Sequence, residues 1–374
     1  MDKLEIGYNI PAEKGMSINE IQTPSLVIDY SVFKDNLIKM KNFCNKNDVM
    51  LRPHAKMHKS IQIAKTQINI GGAHGICCQK VSEAEVFARS GIKDILITNQ
   101  ICDPLKIERL VKIALLGCTI SCCVDNFQNV LDIQKFAKQF NVIINIFVEY
   151  ECGAFRCGLS SLDDIKEIIK LIKSCKNLMF KGIQAYNGSN QHITNNTERE
   201  KKVLTTTNLI KSLVEELNEK QLIVSGGGTG CFDQEVKQGI YDEVQVGSYV
   251  FMDAHYTNVF ESKNSIKFKN SLFILSSVMS NNLKNFAIVD AGLKSQSVDS
   301  GLPLVFNDCD LTYIKCSDEH GIISDKKNKL KINDKVLLVP GHCDPTCNLH
   351  NWYVVIENEV VIDIWPISAR GFSY

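Results

Sequence analysis

The sequence is short of several things, and each shortage removes a class of function. It has no net charge, because 42 Lys and Arg residues balance 42 Asp and Glu among 374. A neutral chain has no electrostatic footprint for a phosphate backbone, so no nucleic-acid partner is expected. No apolar run approaches the ~18 residues that suggest a membrane span. The first twenty residues, MDKLEIGYNIPAEKGMSINE, contain no apolar block of the kind a secretory signal needs. The expectation is a cytoplasmic protein with no membrane partner. Cysteine is abundant, at fifteen, but the number is odd, and neighbours at Cys77 and Cys78 and at Cys122 and Cys123 cannot readily serve as staples. Lying mostly in apolar runs, the cysteines read as small buried hydrophobes in a reducing compartment.

The composition that remains, 44% hydrophobic and 22% charged, is that of a globular protein. A chain of this length exceeds the roughly 250–300 residues at which one core stops growing, so two domains are expected. Eight short Val, Ile and Leu runs begin near Val49, Gly75, Asp94, Thr119, Val142, Phe180, Leu222 and Glu243. Helix-like spacing lies between them, as at Ser60 to Asn69, Val81 to Ser90, Ser161 to Lys173 and Thr197 to Glu219. The fold class is α/β. Eight βα units over residues 49–250 fit a (β/α)8 TIM-type barrel at its compact limit, and the rival, an open doubly wound sheet, has no reason to stop at eight. Residues 1–24 read as an N-terminal lead and 25–48 as a strand and helix entering the fold. From 251 to 374 the rhythm gives way to β-like runs such as SLFILSSVMS, KVLLVP and WYVVIEN, an all-β domain that the early TPSLVIDY strand completes. The charged run SDKKNKLKIND, Ser324 to Asp334, reads as a solvated hairpin.

In a parallel barrel the chemistry gathers where the strands end. The first run ends in RPHAKMHK, and alternation would put Arg52, His54 and Lys56 on one face. Crowded cations disfavour a protonated amine and prime it for a Schiff base, although the same cluster also suits a basic surface. The fifth run leads to Arg156 between glycines, and the sixth to Tyr186, Asn187 and, in the loop beyond, His192. The seventh ends in Gly226, Gly227, Gly228, Thr229 and Gly230, the eighth in Gly247, Ser248 and Tyr249. Consecutive glycines after strands seven and eight suit an anion held by backbone N–H groups; the spacing is neither a P-loop nor a Rossmann fingerprint. A phosphate anchor facing a lysine across one barrel mouth implies a phosphorylated aldehyde, with pyridoxal 5′-phosphate the obvious candidate. In VPGHCDPTCNLHN, a continued strand would project His342 and Asp344 from one face, a pair suited to Mn²⁺ or Mg²⁺, less so to Zn²⁺. The alternative is a turn built by Asp344 before Pro345. Asp318, Glu319 and His320 read as supporting partners of that pair or as a polar turn.

Taken in order, TPSLVIDY, LRPHAKMHKS, SEAEVFARSGIKDILI, QAYNGSNQH, VSGGGTG, VQVGSYVFMDA, VDAGLKSQSVDSGLP, SDEHG and PGHCDPTCNLHNWYVV resemble the D-threonine aldolase group of alanine-racemase-like pyridoxal-phosphate enzymes. The likeness runs from about Thr23 to Gly371 and extends to eukaryotic D-serine dehydratases and 3-hydroxyaspartate aldolases. It implies a cofactor-binding barrel followed by a β-domain, in a homodimer with active sites near the interface. It also implies roles: Lys56 for the Schiff base, Arg156 near the cofactor's phenolic oxygen or the substrate carboxylate, and His192 as catalytic base. Tyr186, the glycine stretch and Gly247 to Tyr249 would bind the cofactor, and His342 with Asp344 the metal. Three positions depart from the pattern: Asn187 where His is common, His255 in place of an acidic residue, and Phe155 where a small or amide residue is usual. The activity so implied is cleavage of a D-β-hydroxy-α-amino acid, a small-molecule substrate, to glycine and an aldehyde. D-serine dehydration is the alternative, and a non-catalytic carrier of the cofactor a further one.

Overall fold

The eight aliphatic runs are eight strands in the computed structural model, which describes residues 4–260 and 266–374. The chain begins its regular structure with β1 (Ser25–Asp29) and α1 (Tyr30–Asn47). The Asp29 carboxylate starts this helix by accepting the Val32 N–H at 3.1 Å, and Asp48, left-handed at φ +53°, stops it. Then come β2 (Met50–Leu51), α2 (Ile61–Asn69), β3 (Ile76–Cys78), α3 (Val81–Arg89), β4 (Asp94–Ile97), α4 (Pro104–Ala114), β5 (Thr119–Val124) and α5 (Phe127–Gln139). They are followed by β6 (Ile144–Glu149), α6 (Leu162–Ser174), β7 (Leu178–Ala185), α7 (Asn196–Leu217), β8 (Ile223–Gly226), α8 (Phe232–Val236) and β9 (Glu243–Val244). Helix α6 shows the local logic. Ser161 caps it by accepting the Asp164 N–H, and Ile165, Ile168, Ile169 and Ile172 form one buried stripe. Each such isoleucine contributes roughly 1.5–3 kcal/mol of burial, so losing the stripe would detach the helix from the sheet.

All neighbouring strands of the β2–β9 sheet pair in parallel, in the order β2-β9-β8-β7-β6-β5-β4-β3. Closure between β2 and β3 is made beyond the short strand itself. Leu51 O accepts from His74 N–H, Pro53 O from Cys77 N–H, and Cys77 O from Ala55 N–H, at 3.1, 2.9 and 2.8 Å. Part of the barrel's interior is a buried ion cluster. Arg52 donates to Glu243 through Nε at 2.8 Å and through Nη1 to Asp94, while His74 Nε2 lies 2.9 Å from Glu243.

The second unit follows as α9 (Ala254–Phe260), β10 (Leu272–Ser280), β11 (Phe286–Val289), β12 (Leu304–Val305), β13 (Leu311–Cys316), β14 (Gly321–Asp325), β15 (Lys335–Val339), α10 (Cys343–Cys347), β16 (Trp352–Glu357) and β17 (Val360–Pro366). Its sheet runs β13-β14-β11-β10-β1-β16-β17, with β15 also paired to β10 and β12. The early strand β1 is therefore internal, antiparallel to β10 and parallel to β16. Two short helices interrupt what composition suggested was purely β. The charged run after Ser324 is not a hairpin, because β14 pairs with β11 and β13 whereas β15 pairs with β10 and β12. Its Lys327 and Lys329 instead reach Asp310 and Asp308 on the surface.

One apolar cluster joins the two units. Phe33, Leu37 and Met40 of α1 pack with Val246, Tyr249 and Phe251 after the last barrel strand and with Leu272, Ile274, Tyr353 and Trp365 of the second sheet. The segment leaving the barrel is thereby fixed against the β-domain. Among the described residues no helix is long and apolar enough to cross a membrane.

Candidate active site

A cavity of about 190 Å3 is lined by His54, Lys56, Met57, Tyr186, His192, Gly228, Thr229, Gln245, Gly247, Ser248, Tyr256, His342 and Asp344. It collects residues from the ends of four barrel strands and from the start of α10. Two larger surface hollows, of about 530 and 580 Å3, bring together no such set of reactive groups.

Lys56 stands in the turn that follows β2, half-buried, and its amine has no ion pair or side-chain hydrogen bond among the described residues. The neighbouring Lys59 has a different fate. It is left-handed (φ +51°), buried, and paired with Glu83 at 3.2 Å, so it has no free amine to offer. Alternation does not set this arrangement, since β2 ends at Leu51 and Arg52 turns into the barrel interior between its two carboxylates. His54 is buried with Nε2 3.0 Å from Thr98 Oγ1. Burial first, and then the charge of Lys56, push its imidazole well below the usual range, so it is a neutral wall and adds no charge beside the amine.

Opposite Lys56 lies the glycine loop, and its members divide. Gly228 and Thr229 line the cavity, as do Gly247 and Ser248. Gly226 belongs to β8, where a Cβ would meet Ala185 O at 2.4 Å. Gly227 is left-handed (φ +73°), and Gly230 donates its N–H to Gln191 Oε1 at 2.8 Å, leaving no room for a Cβ against Gln191 O. Tyr249 does not line this cavity: its ring packs on Phe268 in the core, and its backbone N–H reaches the loop at Thr229 Oγ1, 3.2 Å away. Among the described residues, the N–H groups of Thr229, Gly247 and Ser248 have no acceptor. These unbonded donors suit a phosphate, and the unpaired amine of Lys56 suits the aldehyde carbon of the same ligand. The residues present fit pyridoxal 5′-phosphate.

Over the cavity, His192 closes the 3-10 turn at 188–192, with Nδ1 2.7 Å from His255 Nε2. Its imidazole is held below the usual value by burial and by His255, His342 and Lys56, so Nε2 is available as a base at neutral pH. Tyr186 lines one wall, and the guanidinium of Arg156 lies 5.7 Å from its ring. Arg156 itself stays at the rim, half-exposed, 3.3 Å from Glu149. Asn187 is buried, holding Thr206 Oγ1 and Cys152 O through its amide, so this departure from the family pattern is a structural tie. Phe155 is 94% exposed and left-handed at φ +51°.

His342 and Asp344 do come together, but not on a strand. β15 ends at Val339; Pro340 and Gly341 break it, and His342 precedes α10 as its cap residue with Asp344 in the first turn. His342 Nε2 lies 3.9 Å from Asp344 Oδ1, and Nδ1 is 2.8 Å from Asp299 Oδ2. A carboxylate on Nδ1 fixes the imidazole with Nε2 turned to its partner, the arrangement that orients histidines at metal sites. This pair fits two positions of a divalent ion's shell. No group of three or more His, Cys, Asp or Glu residues that could hold a metal occurs among the described residues, so substrate or water would supply the other positions. Cys343 is fully buried and its N–H binds Asp253 at 2.9 Å. Asp318, Glu319 and His320 form an exposed turn between β13 and β14, with Glu319 on Lys294, and are not supports of this pair.

Asp253 escaped the sequence reading. It is completely buried, and its two oxygens accept from Tyr256 N–H at 2.8 Å and Cys343 N–H at 2.9 Å. One carboxylate thus caps both α9, which carries His255, and α10, which carries Asp344. An Asp just ahead of a helical stretch was the available signal. Gln245 and Asp299 were missed for want of any local signal.

An unpaired lysine facing unbonded amides across so small a space defines a class, barrel enzymes that hold a phosphorylated aldehyde by both ends. Residues 28–255 match the family model described as alanine racemase, N-terminal domain, and residues 271–356 that of a putative serine dehydratase domain; the chain belongs to the alanine-racemase-like family, which implies pyridoxal 5′-phosphate. It is 48% identical to a 3-hydroxy-D-aspartate aldolase of Paracoccus denitrificans, over 99% of this chain and 97% of that protein. It is 40% identical to a D-threonine aldolase of an Arthrobacter species, over 97% and 96%. The crystal structure of D-threonine aldolase from Filomicrobium marinum superposes with a TM-score of 0.94 at 34% identity, covering 97% of this chain and 100% of that one. With relatives so close, the chain is an enzyme of the lyase class.

Proposed function

We propose that the protein is a pyridoxal-phosphate- and divalent-metal-dependent aldolase that cleaves D-β-hydroxy-α-amino acids to glycine and an aldehyde. The observation that carries this reading is the placing of Lys56, His192 and the His342–Asp344 pair around one cavity of about 190 Å3. When bound, the cofactor supplies an electron sink for the pair of electrons left on Cα. A divalent ion at His342 and Asp344, Mn²⁺ or Mg²⁺ by the hardness of the carboxylate, would supply positive charge for the substrate's β-hydroxyl oxygen. Lys56 provides the amine that anchors the cofactor, and the amides of Thr229, Gly247 and Ser248 hold its phosphate. His192 takes the proton of the β-hydroxyl through Nε2, because Nδ1 is engaged with His255. Arg156, whose guanidinium lies 5.7 Å from the Tyr186 ring, would meet a substrate carboxylate or the cofactor's phenolic oxygen. A second carboxylate on the substrate would find His192 and His255 at the mouth in place of an acidic side chain, which favours a 3-hydroxy-D-aspartate-like substrate alongside D-threonine.

One observation speaks to D-serine dehydration. The resemblance implies that members which dehydrate D-serine carry a cysteine two positions after the histidine; here that position is Asp344, and Cys343 is directed into the core. The protein is read as a cytoplasmic homodimer, with the exposed Phe155 ring, next to Arg156 in the chain, as apolar surface a second copy would cover. A product assay on D- and L-β-hydroxy amino acids tests the reading. Glycine plus aldehyde from D-threonine or D-3-hydroxyaspartate is expected. Ammonia and pyruvate from D-serine as the main products would overturn it.

A further inference from the structure

Glu235, in α8 directly after the glycine loop, is a carboxyl group with nothing to balance it. It is fully buried, and neither oxygen meets a hydrogen-bond donor in good geometry among the described residues. One oxygen lies 3.4 Å from the place where a Cβ on Gly227 would be, and the Gly228 N–H faces the group. The remaining neighbours are Cys231 and Asp233 from its own segment, Gln191 from the 3-10 turn, Tyr186 after β7, Tyr241 before β9, and Cys152 after β6. None of these is a cation. Burial accordingly pushes the Glu235 carboxyl up to about 7, against an ordinary value of 4.5. The same loop is tied from above, since Gln191 accepts from Gly230 N–H and donates to Cys231 Sγ at 2.7 Å. The loop cannot simply move away from a charge beneath it.

We propose that Glu235 controls how tightly the loop holds the cofactor's phosphate: neutral, it supports the anion above it, and ionised, it repels that anion and competes for the Gly228 N–H. This rests on reading Gly228 and Thr229 as part of the phosphate cup. Glu235 touches no reacting atom and is a positioning residue. It gives the enzyme a cofactor affinity that weakens as the pH rises through neutrality.

The test compares pyridoxal 5′-phosphate with pyridoxal, which lacks the phosphate. Apoprotein is titrated with each at about pH 6 and about pH 8.5, on either side of the carboxyl's ionisation, following the visible absorbance. The ratio of the two Kd values isolates the phosphate's contribution. In the wild type that contribution is expected to fall roughly tenfold between the two pH values, the scale of one like-charge contact in a partly polar interior. In E235Q it stays constant within about twofold, since the amide cannot ionise. A wild-type ratio that is flat or rises overturns the proposal whether or not the variant folds, and an equal fall in both proteins overturns it too. Failure of a visible band with either aldehyde, or equal affinity for both at low pH, refutes instead the assignment of Lys56 and the glycine loop as the cofactor site.

Discussion

The ion cluster inside the barrel allows a quantitative prediction about acid stability. Glu243 is completely buried between Arg52, His74 and the Ser225 hydroxyl. Although desolvation opposes its ionisation, Arg52 and then His74 outweigh that penalty and bring the carboxyl from 4.5 to about 2. The shift is worth about 3 kcal/mol at about 1.36 kcal/mol per unit. Because the folded state holds the group below its unfolded value, this stabilisation is complete above pH 4.5 and drains away as the pH falls towards 2. Replacing Glu243 with Gln removes the charge while keeping the shape. Urea unfolding of both proteins, each saturated with cofactor so that binding does not differ, should show the variant less stable by about 3 kcal/mol at neutral pH. The gap should shrink by about half or more near pH 3, where that share of the linkage is lost. A gap that is the same at both pH values would show that the substituted amide fails through packing, and a variant as stable as the wild type would show that the pair does not offset its desolvation.

Four further outcomes follow from the site. Borohydride reduction should fix the cofactor on Lys56, and peptide mapping that finds it on Lys59 would contradict the Lys59–Glu83 pairing. His192→Asn should lower kcat by roughly 10²–10⁴-fold while leaving the cofactor's absorbance intact, and unchanged turnover would remove His192 from the chemistry. His255→Gln should move the acid limb of the kcat profile to higher pH, because His255 helps hold the His192 imidazole low and a base is lost as the pH falls through its pKa; an unmoved limb would deny that coupling. Exhaustive chelation should abolish activity and Mn²⁺ restore it, with Asp344→Ala unrescued at the same Mn²⁺ concentration; full activity after chelation would take the metal out of the mechanism.

Much of the barrel was legible because its strands are buried on both faces and so read as short, mostly apolar runs. β5 and β6 illustrate this, and the α2 and α6 helices announce themselves by Ser60 and Ser161 ahead of an isoleucine pattern. The site was legible where a reactive residue ends a strand, as at Tyr186 and the glycine loop. It was illegible where a contact spans the chain. Nothing near Tyr249 says that its ring turns to Phe268, and nothing near Arg52 announces Glu243, 191 residues away. The His342–Asp344 pair was recovered for a partly mistaken reason, since a helix start brings i and i+2 close where a strand was expected to.

The placement of β1 bears on how the molecule can be made. Its residues Leu26 to Asp29 lie beside Tyr353 to Ile356, so the second flank of this strand stays unpaired until more than three hundred further residues have left the ribosome. The barrel, whose strands each find a neighbour within a few dozen residues, can assemble during that interval, while β1, buried on both faces in the finished protein, has at most β10 for company. A nascent chain halted short of β16 would therefore expose a Leu-Val-Ile edge, the kind of surface that chaperones hold and that seeds aggregation. The interval between making β1 and making β16 is thus a point of vulnerability built into this strand order.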